Sequence, residues 1–461
     1  MKNYLYFIMM FISQWAFTQD YKVDTLVWSG PSENRINLVI LGDGYQIDEL
    51  PKFVSDANNL SNSLFRESPY REYKNYFNVY AIEVPSNESG ASHPGDATDV
   101  DEPAHPISFI DNFYGSSFDN FDIHRLLIAK NSSAIFTVLA NNFPAYDLVL
   151  MLVNSPYYGG SGGQIALTSL EDSANEIAIH EIGHTFSFLA DEYYAGDFFS
   201  NESFNMTKQI DPELVKWKNW LGADEVGIYQ HCCGGNSSEW YRPHQDCKMR
   251  RLGSPFCPVC KESTVARIDW LIRIIDSYEP ELSSPIDLDT TVNFEVELVE
   301  PFPNTIKVEW ILNGELINGK DDSVSISPDD LLVGQNQLQF TAVDTTALMR
   351  IDNQHIINLE SVLWDINSST VSIDDVQVYN LKIEVFPNPT QEVIYFIIAN
   401  EISEDYKVTI TDISGATIST KNFDYLEEQS QIKVESLPSG VYFINFSFEN
   451  GLSVSRKMIK E

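Results

Sequence analysis

The chain has 461 residues, room for about two or three domains of ordinary size. Hydrophobic residues make up 43% of it, so it is globular material rather than a chain that stays unfolded. Lys and Arg number 29 against 67 Asp and Glu, a net charge of −38, which excludes a basic face for nucleic acid or anionic lipid.

The N-terminus, MKNYLYFIMMFISQWAFTQD, places one Lys before a short apolar run from Leu5 to Ile12. This is the layout of a secretory signal peptide over residues 1–18, and the run is too short to span a bilayer. Beyond it the sequence alternates strand-like and helix-like segments from 20 to 275. INLVIL (36–41) reads as a buried strand ending at Gly42-Asp43-Gly44, where Asp43 braces the turn. Asp48 to Phe65 is helical, YFNVYAIEV (76–84) is a strand, and 86–117 is a long loop. Residues 120–140 are expected to be helical, DLVLMLVN (147–154) is a second buried strand, and QIALT (164–168) follows the glycines of YYGGSGG (157–163). That order implies an α/β (α+β) domain. The glycines either admit a substrate strand beside an edge or form a simple tight loop.

The segment EIAIHEIGHTFSFLADEYY (176–194) carries the chemistry. Ser173 and Glu176 have capping-box spacing, so a helix opens there. His180 and His184, four apart, share one helix face and both imidazoles reach one metal ion. Glu181, beside the first histidine, is placed as the general base toward an attacking water. Zinc needs a third protein ligand. A straight helix carries residue 191 about 16 Å from residue 180, so Asp191 or Glu192 ligates only if the chain turns back. His93, His105 and His124 lack ligand spacing and read as solvated or hydrogen-bonded. The five cysteines (Cys232, Cys233, Cys247, Cys257 and Cys260) read first as disulfide partners with one thiol over, and second as a structural zinc site at the C-x-x-C.

HEIGHTFSFLADEYY resembles the active-site segment of the IgA-peptidase family of bacterial zinc metallopeptidases. NLVILGDGYQIDEL, RESPYREYKNYFNVYAIEVPSNESGASHP, YYGGSGG, WYRPHQDCKMR and FCPVC extend the likeness over about residues 35–262. The resemblance implies a metzincin-like zinc endopeptidase domain (20–275), with Zn2+ on His180, His184 and Asp191. Glu192 is the runner-up third ligand. The glycine at which metzincin helices break is replaced here by Phe188. Met249 is the candidate for the methionine beneath the metal, or else an ordinary core methionine. With Arg at 251 in place of the metzincin tyrosine, Tyr241 is the candidate to stabilise the oxyanion.

After Ile275 the period changes to two. VNFEVELV, IKVEWILNG and NQLQFTAVD are half-buried strands of a small β-sandwich (277–372) that resembles an immunoglobulin-like domain, with Trp310 between its sheets. VFPNPTQEVIYF (385–396), SLPSGVYFINF (436–446) and SRKMIK resemble a type IX secretion C-terminal sorting domain (380–461), a second all-β sandwich. The likeness implies partnership with the type IX machinery. It also implies release from, or glycolipid anchoring to, the surface of a Bacteroidota-type bacterium, with no transmembrane segment and a protein or peptide substrate. The alternative is a surface adhesin built on an inactive peptidase-like domain.

Overall fold

The computed structural model describes residues 20–461 apart from 233, 283–284, 321, 353–358, 369–381, 400–404, 414, 425–429 and 449–452. The expected signal peptide, 1–18, lies outside the described residues. The chain divides between Ile272 and Arg273 into two units.

In the first unit the strands are β1 (Lys22–Val27), β2 (Ile36–Asp43), β3 (Phe77–Glu83), β4 (Ser116–Ser117), β5 (Ile128–Ala129), β6 (Leu148–Val153), β7 (Gly160–Ser161), β8 (Ala166–Thr168), β9 (Tyr229–Gln230) and β10 (Tyr241–Arg242). The helices are α1 (Leu50–Leu64), α2 (Ser132–Asn142), α3 (Ala174–Thr185) and α4 (Pro258–Leu271). Six strands form one sheet in the order β1-β3-β2-β6-β8-β7. Its middle, β3-β2-β6-β8, is parallel, and β1 and β7 run antiparallel at the two edges. Parallel strands need both faces covered. Accordingly β2 and β6, the two continuous apolar runs, are buried along their whole lengths. The sheet ends at β7, the strand drawn from the glycines of YYGGSGG, beside α3.

Two local expectations are corrected. Residues 120–140 do not form one helix: Asp119, Phe121 and Asp122 have φ of 62°, 51° and 62°, which no right-handed helix contains, and α2 starts only at Ser132. Nor does Ser173 form a capping box, since its side chain makes no cap bond. Glu176 is engaged instead by the Lys248 ammonium at 2.6 Å and the Gly253 N–H at 2.9 Å.

Residues 86–117 do form a long, largely irregular loop, and Asp43 explains how it is held. The carboxylate is fully buried at the end of β2. It accepts from the N–H groups of Gly44, Tyr114 and Ser116, each at 3.0 Å, and from the Ser86 hydroxyl at 3.1 Å. A charge taken from water is tolerated only with such a complete set of donors.

The second unit is all strand apart from one short 3-10 turn among its described residues. Its first part has a three-stranded and a five-stranded sheet over a core that includes Phe294, Trp310, Phe340 and Trp364. Trp310 is 2% exposed and stacks on Trp364 at 5.9 Å. Alternation is plain in Val292–Leu298, where Phe294 and Val296 point inward and the residues between them outward. The expected boundary between 372 and 380 lies outside the described residues. From Lys382 a three-stranded and a four-stranded sheet enclose Phe396, Tyr406 and Phe446. The whole is a multidomain chain of mixed α and β structure, with many sheets and few helices. Among the described residues no helix is long and apolar enough to cross a membrane.

Removing the Asp43 carboxylate leaves the Tyr114 and Ser116 N–H groups and the Ser86 hydroxyl unmatched, while the Gly44 N–H keeps Ser86 Oγ at 2.9 Å. Asp43→Ala is expected to cost about 3 kcal/mol in urea unfolding; a loss below about 0.5 kcal/mol would show that the loop does not depend on it.

Candidate metal centre

One turn of α3 separates His180 from His184, and their Nε2 atoms lie 3.2 Å apart. Each Nδ1 meets a backbone carbonyl: His180 donates to Lys248 O at 3.0 Å and His184 to Leu189 O at 2.6 Å. A carbonyl only accepts, so in the neutral ring Nδ1 carries the hydrogen and the Nε2 lone pair is free. Both lone pairs face Asp191 Oδ1, at 3.0 Å from His180 and 3.2 Å from His184. Three electron-pair donors so close repel one another unless positive charge lies between them. The protonation behaviour agrees. Burial by itself lowers the His184 imidazole, yet Asp191 outweighs it and holds the ring up to about 9. Burial raises Asp191, but His184 and His180 hold its carboxyl well below the usual range. The trio favours positive charge among its donor atoms, which lie close enough together for one ion to reach all three.

Asp191 arrives by a reversal of the chain. α3 ends at Thr185, and the Leu189 N–H returns to Gly183 O at 3.1 Å. The residue that makes the turn is Phe188, with φ of 53°. It adopts the left-handed conformation that glycine takes without penalty, at a cost of about 1–2 kcal/mol for a residue with a Cβ. Its ring is half exposed and carries the Arg267 guanidinium 5.2 Å from its centroid. Beyond the turn, buried Asn205 clamps the strand-like return, accepting from Ala190 N at 2.7 Å and donating to Ala190 O at 2.9 Å. The Glu192 N–H donates to Met249 O at 2.7 Å.

Glu192 itself points away from the histidines. Fully buried, its Oε1 accepts from Asn205 at 3.0 Å and lies 3.4 Å from Cys260 Sγ. Met249 is wholly buried under α3: a Cβ on Gly183 would lie 2.8 Å from its sulfur and 3.3 Å from the Phe256 ring. The loop that carries it is held to α3 by Lys248, whose ammonium, 1% exposed, pairs with Glu176 at 2.6 Å.

Glu181 is half-buried and opens onto two cavities, of about 250 Å3 and about 930 Å3. Burial raises its carboxyl above the usual range against the opposing pull of His180 and His184. A Cβ on Gly162 would lie 2.9 Å from Glu181 Oε2 and 2.9 Å from His184 Cβ, so only glycine lets the chain after β7 pass this close. Tyr241 lines neither cavity. It sits in a two-stranded ribbon, opposite Gln230, with backbone bonds to Thr207. The residues there that sequence reasoning passed over are Tyr193 and Arg125. Arg125 donates to the Tyr193 hydroxyl at 3.2 Å. Burial first, then Asp191, push that phenol up to about 12, so it remains a donor at neutral pH. The signal for Tyr193 was present, two residues after Asp191 in the DEYY run.

Two other expectations change. Cys232 is disulfide-bonded and Cys233 lies outside the described residues, but Cys247, Cys257 and Cys260 are buried free thiols. His93, His105 and His124, which lack ligand spacing in the sequence, gather into one cluster with ring centroids 5.1–5.2 Å apart, and the fold brings one ring nitrogen of each within 4.8 Å of the others. His124 is hydrogen-bonded, to Asp119 and Glu102, as expected. His93 is neither solvated nor hydrogen-bonded: it is fully buried and stacked on Phe118 at 4.5 Å.

Residues 25–229 match the family model described as IgA Peptidase M64. This M64 segment contains α3, Glu181, Asp191 and Tyr193 and stops short of Met249 and the three free thiols. It marks the first unit as a peptidase at family level. Residues 384–461 match the secretion system C-terminal sorting domain, so the protein is exported by type IX secretion, to the medium or cell surface of a Bacteroidota-type bacterium. No curated protein matches the chain. Among solved structures, dimeric latent PorU from Porphyromonas gingivalis is similar at 15% identity and a TM-score of 0.17, covering 40% of this chain and 20% of that one. The SGBP-B protein of a Bacteroides ovatus mixed-linkage glucan utilization locus gives 11% and 0.16, covering 40% and 47%. A two-domain fibronectin type-III segment from chicken tenascin gives 14% and 0.15, covering 39% and 96%. The chain spans a fifth of the first and under half of the second, and these likenesses lie below the level at which a shared fold follows.

The turn makes a sharp forecast. Phe188→Gly relieves the backbone and loses only the Arg267 contact, so stability should stay within about 1 kcal/mol of wild type. Phe188→Val, β-branched in a left-handed turn, should lose at least about 2 kcal/mol and weaken metal binding measured by competition with a chelator. Equal behaviour of the two variants would contradict the role given to this residue.

Proposed function

We propose that the first unit is a metzincin-like zinc endopeptidase that hydrolyses extracellular proteins, with His180, His184 and Asp191 as ligands and Glu181 as general base. The observation that carries this reading is the convergence of His180 Nε2, His184 Nε2 and Asp191 Oδ1, with both Nδ1 atoms tied to carbonyls. Nitrogen and carboxylate donors suit zinc, and three protein ligands leave one position for chemistry. When bound, zinc supplies a Lewis acid that makes water a stronger acid and polarises a peptide carbonyl.

The chain's own groups do the rest. Glu181, its carboxyl raised by burial, takes a proton from the attacking water and later returns it to the leaving amine nitrogen. The Tyr193 hydroxyl, which remains protonated, donates to the oxygen on which negative charge develops. Arg125 orients that phenol and adds positive charge nearby. In this role Tyr193 replaces Tyr241. The loop at Gly162 leaves room for a substrate backbone beside Glu181. The outer edge of β7 is already taken at Gly160, which bonds Arg125 and Leu127, so a substrate strand pairs only beyond it, at 161–163. The larger cavity is walled by Ile128, Ile135, Phe136, Phe198 and Phe199, which fits a bulky apolar side chain next to the scissile bond. Met249 forms the floor of the site.

Glu181→Gln should lower kcat/KM on a protein substrate by about 10^3-fold while zinc content is unchanged. Asp191→Ala should lose both zinc and activity. In a peptide library, cleavage should favour Leu, Phe or Met beside the cut bond. Wild-type protein that holds zinc and cleaves nothing in a broad panel would instead favour the binding-platform reading.

A further inference from the structure

Outside the site at His180, His184 and Asp191, one of the side-chain clusters of the first unit gathers three thiols around a carboxylate. Cys247, Cys257, Cys260 and Glu192 bring their donor atoms within 4.8 Å of one another, and all four side chains are buried. We propose that these four residues form a second, structural metal site for zinc or a similar borderline-soft divalent ion, and that this site anchors the return of the chain that presents Asp191.

The spacing fits a closed tetrahedron. Zinc–sulfur bonds of about 2.3 Å put neighbouring sulfurs about 3.7 Å apart. Cys247 Sγ lies 3.6 Å from Cys260 Sγ, and Cys260 Sγ lies 3.4 Å from Glu192 Oε1. All three cysteines are free thiols. Cys257 precedes α4 and Cys260 lies in its first turn, where unpaired N–H groups and the helix dipole favour thiolates. The Cys257 N–H also donates to Cys247 Sγ at 3.4 Å. Three thiolates and a carboxylate select zinc-class ions over calcium or magnesium, which take hard oxygen donors.

Glu192 supplies an independent sign. It is 0% exposed, and its Oε2 is buried with no hydrogen-bond partner. A buried carboxylate oxygen without a donor costs several kcal/mol unless a cation or a proton satisfies it. Arg242, 4% exposed, spends its guanidinium on the carbonyls of Gln230, His231 and His244 and on the Gln245 side chain rather than on Glu192.

The consequence lies in the adjacency of Asp191 and Glu192. Successive Cα atoms are about 3.8 Å apart, so fixing Glu192 to α4 and to the Met249 loop fixes where Asp191 stands. That positioning role rests on the reading of Asp191 given above; the existence of the thiol site does not.

The test uses the full chain, purified in zinc, with metal counted by mass spectrometry and thiols titrated, and then reloaded with cobalt(II). Cys257→Ser and Cys260→Ser should each lower the count by about one zinc per chain relative to wild type. The His180→Ala, His184→Ala double variant should lose one zinc as well, yet keep the near-ultraviolet thiolate-to-cobalt charge-transfer band that the cysteine variants lack. Because the double variant leaves the thiols intact, the idea remains testable even where a cysteine variant does not fold. Cobalt-loaded wild type without that band, or a disulfide joining two of Cys247, Cys257 and Cys260 in the native protein, overturns the proposal. A double variant that keeps its full metal count while showing the band would instead sink the histidine site and leave this one standing.

Discussion

Continued as a straight helix, α3 would carry residue 191 about 16 Å beyond His180. Instead the left-handed backbone of Phe188 ends the helix, the Leu189 N–H returns to Gly183, and Asp191 comes back over the histidines it has just passed. Every other feature of the site serves or uses that reversal. The Leu189 carbonyl exposed by the turn orients His184, and the carbonyl of Lys248 orients His180. Asn205 and Met249 O hold the returning strand, so the two acidic residues of the DEYY run diverge: Asp191 toward the imidazoles and Glu192 toward the thiols.

Much of this was legible in the sequence because it depends on local periodicity. Four-residue spacing puts His180 and His184 on one face whatever surrounds the helix. Continuous apolar runs at 36–41 and 147–154 declare buried parallel strands. The part that was not legible depends on contacts distant in sequence or on backbone states that residue type disguises. Phenylalanine is an unusual occupant of a left-handed turn, so the bend at 188 left no glycine to mark it. Arg125 and Tyr193 are 68 residues apart and meet only when the sheet is assembled. The Ser173–Glu176 spacing suggested a local cap, yet Glu176 is taken by Lys248, 72 residues away. The cysteines illustrate the same limit: their number and the export signal favoured disulfides, whereas the fold collects three of them as thiols around a carboxylate.

The acidic balance of 67 against 29 fits a protein that works outside the cell and must stay soluble there, and it places value on the few cations that are buried. Lys248 is one of them, and it lines the smaller cavity at Glu181 together with the solvent-exposed Arg125. Lys248 holds the loop beneath α3, and Arg125 faces the tyrosine beside the general base.

The most direct measurement is anomalous diffraction at the zinc edge from crystals of the zinc-loaded protein. The account predicts a peak bounded by His180 Nε2, His184 Nε2 and an Asp191 carboxylate oxygen, with the backbone at Phe188 left-handed. A peak bounded by the histidines with Glu192 in place of Asp191, or with no acidic ligand from the returning strand, would contradict it.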